Sequence, residues 1–72
     1  MAVNNLLTKA YAINIYRYGN RTFATIPVEY NEPVKQYAAL NFTLEEIDNA
    51  LAKGYISEQE YNETLAYAVP VS

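Results

Sequence analysis

Seventy-two residues carry five basic and eight acidic side chains, a net charge of −3, with no cysteine and no histidine. That composition leaves out disulfide bridges, thiol nucleophiles and imidazole acid–base chemistry, and it argues against a zinc site. A single domain with a small core is expected, burying roughly 60% of the unfolded chain's surface, with eight tyrosines and two phenylalanines supplying large buried areas.

The opening segment MAVNNLLTKA has neither the charged region nor the apolar run of a signal peptide. No apolar stretch is long enough for a membrane-spanning helix. The expectation is therefore a protein that is cytoplasmic when synthesised and makes no membrane contact. From about Leu6 the chain reads as β-like, and Tyr11–Tyr18 (YAINIYRY) is rich in β-branched and aromatic residues. Gly19-Asn20 has the order of a two-residue type II′ hairpin turn. Arg21–Val28 (RTFATIPV) would return, with Pro27 marking a strand end or an edge. This hairpin, over about residues 6–28, has two faces. Tyr11, Ile13, Ile15, Ala24, Ile26 and Val28 form an aliphatic side; Tyr16, Tyr18, Arg21 and Phe23 lie on the other, with Tyr16 opposite Phe23. An exposed group of Tyr, Phe and Arg has the composition of a protein interface, so these four are the candidate partner-binding residues.

Residues 29–41 read as a linker, with a turn at Tyr30-Asn31-Glu32-Pro33. Over 33–40 the pattern fits either a short helix with Pro33 in its first turn or a third strand, the helix being slightly favoured. The C-terminal part, 43–67, reads as a helical hairpin opened twice by one device. Thr43 and Glu46 form a capping box with Phe42 and Ile47 as its hydrophobic staple; Ser57 and Glu60 form a second, with Ile56 and Tyr61. Gly54 ends the first helix and Pro70 is expected to end the second near Tyr67. The expected fold is thus α+β, an N-terminal β-hairpin packed on a capped helical hairpin, within one small domain spanning 1–72.

Gly54, Ile56 and Glu60 also match positions six, eight and twelve of a calcium-binding loop. The same register places Asn49, Leu51 and Lys53 at positions one, three and five, where oxygen ligands belong. Leucine cannot ligate and lysine repels the ion, so the glycine is read as a helix end. Asn20-Arg21-Thr22, Asn41-Phe42-Thr43 and Asn62-Glu63-Thr64 fit the glycosylation acceptor pattern, but without an export signal they are attributed to chance.

Charge is unevenly spread. Residues 1–28 hold Lys9, Arg17 and Arg21 and no acid, whereas 29–72 hold all eight acids against Lys35 and Lys53, a balance of −6. Such asymmetry can steer association, including head-to-tail self-association, although acids at helix starts are favoured by the dipole alone. Catalysis finds no support. The only serines are Ser57, used as a cap, and Ser72; the paired carboxylates are helix-start residues; two glycines make no phosphate loop. No catalytic residue, metal or cofactor is expected.

The stretch LEEIDNALAKGYISEQEYNE resembles the C-terminal part of small XkdX-like proteins of phages and prophages, found among tail genes. It is also similar to the short SHOCT module in its helix–Gly–x–Ile–Ser/Thr–x–x–Glu–Tyr layout. The resemblance covers Leu44–Thr64, and it implies a phage context with a small structural or assembly role. The leading expectation is a non-enzymatic protein-binding component of phage or prophage origin, tail-associated or an accessory virion protein, binding a protein partner or itself. An alternative is a phage-encoded acidic inhibitor of a host enzyme, acting through Glu45, Glu46, Asp48, Glu58, Glu60 and Glu63. A third is a weak single-stranded nucleic-acid binder using Lys9, Arg17 and Arg21 with the aromatics.

Overall fold

The structure, a computed structural model, describes residues 4–68. These residues form four α-helices, with one π turn and two 3-10 turns between the first and the second, and among them there is no strand. The α+β expectation is overturned. Its N-terminal hairpin is a helix: α1 spans Asn5–Ile13 and runs directly into a π turn over Asn14–Tyr18. Asn4 starts α1, its side-chain oxygen accepting from the N–H groups of Leu6 and Leu7 at 2.8 and 3.2 Å.

The reason lies in which side chains are buried. Thr8, Ala12, Ile15 and Tyr16 face inward, a three-and-four spacing that belongs to a helix and not to a strand. An alternating pattern would have put Ile15 and Tyr16 on opposite faces. The β-branched and aromatic content of Tyr11–Tyr18 is a weak local preference, and burial along one helical stripe overrides it. Gly19 does take the positive φ that its place in the sequence suggests, at 69°, but it ends the helical arm instead of turning a hairpin. The expected return strand is likewise two 3-10 turns, Phe23–Thr25 and Val28–Tyr30, separated by Ile26 and Pro27. Thr22 and Thr25 hold the first turn closed by mutual backbone and side-chain bonds of 2.9–3.0 Å.

Helix α2 spans Asn31–Asn41 with Pro33 in its first turn, so the ambiguous stretch at 33–40 is helical. α3 (Leu44–Ala52) and α4 (Glu58–Ala68) stand where their caps place them. Both capping boxes form: Thr43 with Glu46 at 3.0 and 3.1 Å, Ser57 with Glu60 at 2.8 and 3.1 Å. Between them Gly54, at φ 78°, completes a Schellman end. Its N–H bonds to the Leu51 carbonyl at 3.0 Å, and that of Tyr55 bonds to Ala50 at 2.9 Å. α4 does not pack chiefly on α3. It lies mainly along α2, which also takes α1, making α2 the central helix. Pro70 lies outside the described residues.

Tyr16 sits at the centre of the core, fully buried. Its ring meets Phe23 and Phe42 edge-on at 5.9 and 5.7 Å, and its hydroxyl bonds to Thr64 Oγ1 at 2.5 Å. Burial raises the phenol's pKa well above its ordinary value. Ala12, Val34, Ala38 and Ala50 are equally enclosed, and their small size suits close helix approach.

The two glycines make different demands. A Cβ on Gly19 would lie 2.3 Å from the Tyr55 ring, whereas one on Gly54 meets open space. Gly54→Ala is expected to cost about 1 kcal/mol for the left-handed backbone. Gly19→Ala adds a clash with the Tyr55 ring of roughly 1–3 kcal/mol. Urea unfolding of the two variants should show the larger loss for Gly19→Ala; equal losses would mean that the Tyr55 contact is unimportant.

A candidate protein-binding groove

The four residues expected to form a partner-binding face do not share a surface. Tyr16 is 0% exposed and Phe23 5%. The two rings do meet, but inside the core, where no partner reaches them. Tyr18 is exposed, and the Arg21 guanidinium lies 5.5 Å from the centre of the Tyr11 ring. The patch was derived from a strand register, and it fails with that register.

The acidic residues stand on α3 and α4, yet most of them are engaged within the chain. Glu46 accepts from the Thr43 N–H and pairs with Arg17 at 3.1 Å. Glu60 caps α4, and Asp48 accepts from the Tyr61 hydroxyl. Glu63 pairs with Lys35 and accepts from Gln59 at 3.1 Å. Glu45 and Glu58 are exposed, with no side-chain hydrogen bond or salt bridge among the described residues. Arg17, one of the three basic residues of the first half, is thus neutralised locally by Glu46, with its guanidinium 4.8 Å from the centre of the Phe42 ring.

A different site emerges where the start of α2 passes the last turns of α4. Val28, Asn31, Glu32, Lys35, Glu63, Ala66 and Tyr67 line an open groove of about 610 Å³. Its floor is fixed by Lys35. The side chain is only 11% exposed, with the ammonium 5.1 Å from the centre of the Phe23 ring and paired to Glu63. At the rim, the Tyr67 hydroxyl donates to Glu32 at 3.3 Å, and Val28 is 79% exposed. Asn31 Oδ1 is buried in the wall without a hydrogen-bond partner among the described residues. The walls therefore hold two carboxylates against one ammonium, flanked by an exposed valine and a half-exposed tyrosine ring. This combination suits recognition of a protein surface with a cationic and an apolar side chain.

Sequence reasoning missed this groove. It placed Val28 on a buried aliphatic face, and the pairing of Lys35 with Glu63 joins helices far apart in sequence, which nothing local announces. Among the described residues, no group of three or more acidic side chains is gathered to hold a metal ion, and no helix is long and apolar enough to cross a membrane. No family model matches the chain, and neither curated proteins nor solved structures give a match.

The hydrogen bond from the Lys35 ammonium, then that from Gln59, then the Lys35 charge hold the Glu63 carboxyl below its ordinary pKa. A depressed carboxylate pKa stabilises the fold above the unfolded value, and that contribution disappears as pH falls through the folded value. In NMR titrations Glu63 should titrate below the ordinary glutamate value and return toward it in Lys35→Met. An unchanged Glu63 curve in that variant would contradict the assigned cause.

Proposed function

We propose that this chain is a small, non-enzymatic protein-binding component of phage or prophage origin, tail-associated or an accessory virion or assembly protein. The phage context is carried by the resemblance of Leu44–Thr64 to the XkdX-like proteins. The binding role is carried by one observation, the open α2–α4 groove with Val28 and Tyr67 exposed at its rim. The use of acidic side chains supports a role without chemistry. Glu46 and Glu60 complete helix caps, and Glu63 is held in an ion pair, so none of the three is poised as an acid or base. In this reading the protein is made in the cytoplasm and becomes virion-associated.

The inhibitor reading draws less support, because four of its six carboxylates are bonded within the chain. The nucleic-acid reading loses Arg17 to Glu46. Affinity capture of the tagged protein from its native source, with mass spectrometry of what is bound, separates these. Tail or baseplate proteins should be recovered, and Val28→Glu should lose them while keeping its helical circular dichroism. Recovery of a single host enzyme, or capture undiminished by Val28→Glu, would overturn the proposal.

A further inference from the structure

The groove needs an occupant that offers a cation to Glu32 and Glu63, only one of which Lys35 balances, and an apolar side chain to Val28 and Tyr67. The chain itself carries such a surface. On α1, Leu6 is 75% exposed, and Lys9 and Ala10, three and four residues on, are exposed as well; this spacing places the three on adjoining parts of the helix surface. Lys9 makes no salt bridge and no contact with an aromatic ring among the described residues. Because Thr8 and Ala12 of the same helix face the core, Leu6 and Ala10 point away from their own chain's α2 and α4. They can enter such a groove only on another molecule.

We propose that a second copy of this chain docks the outer face of α1 into the α2–α4 groove, Lys9 meeting Glu32 and Leu6 packing on Val28 and Tyr67. The inference rests on the groove being a protein-binding surface, as argued above. Charge favours the same arrangement, since α1 carries Lys9 and no acid, whereas the groove holds Glu32 and Glu63 against Lys35 alone, and unlike charges attract. The two surfaces differ, so the contact is heterologous, and repetition of it builds either a closed ring or an open string of subunits.

The test uses the purified full chain in sedimentation velocity at low and high salt. Wild type should associate as concentration rises, less so in high salt. Lys9→Glu sets like charges against Glu32 and should sediment as a monomer; Glu32→Lys sets them against Lys9 and should do the same. Mixed in equal amounts, the two variants restore opposite charges at every contact and should associate again, with circular dichroism confirming that each is folded. A wild type that stays monomeric, an association indifferent to either substitution, or a mixture that remains monomeric would each overturn the proposal. Groove-dependent capture of another protein alongside a monomeric wild type would remove this inference and leave the binding role standing.

Discussion

The fold depends on burying a phenol without stranding its hydroxyl. Tyr16 brings the largest fully enclosed side chain to the centre of the core, and its oxygen, shut off from water, requires a partner. Thr64 on α4 provides it at 2.5 Å and in turn donates to the Glu60 carbonyl at 2.8 Å. This chain of bonds ties the N-terminal helical arm to the last helix across most of the sequence. Phe23 and Phe42 close around the ring, so the loop after the arm and the turn between α2 and α3 are set by the same side chain.

A second set of contacts holds α3 to the arm. Tyr16 belongs to the π turn, which ends at Gly19, and the missing Cβ there lets the Tyr55 ring pack directly on the backbone. Arg17, from the same turn, reaches Glu46 on α3 and lies near the Phe42 ring. With α1 on α2 and α4 along α2, each helix is held by its neighbours and none needs strong intrinsic propensity. Helices of nine to eleven residues are marginal alone.

That division explains what could be read from the sequence. The caps of α3 and α4, the staples beside them and the Gly54 terminus are local chemistry, complete within a few residues, and they were legible. The helix with Pro33 was half legible, one of two readings of its stretch. The arm from Asn5 to Tyr18 was misread because its composition favours strand, while its helical spacing matters only once Thr64, Phe23 and Phe42 surround it. The groove was illegible for a related reason. Val28 is exposed only because Val28–Tyr30 is a 3-10 turn, and the Lys35–Glu63 pair exists only because α4 returns along α2. Of the residues that line the groove, the sequence pointed to Glu63 alone, and for its charge.

The most direct measurement is a double-mutant cycle on Tyr16→Phe and Thr64→Val, read by urea unfolding. Each change alone disturbs a buried hydrogen bond and should destabilise by about 1–3 kcal/mol, the larger loss falling on Thr64→Val, which leaves the phenol unpaired. Together they remove both partners, so the double variant should lose less than the two separate losses combined, with a coupling of about 0.5–3 kcal/mol. Strictly additive losses would mean that the bond between the arm and α4 does not form. The helical placement of residues 5–18 around Tyr16 would then have to be abandoned.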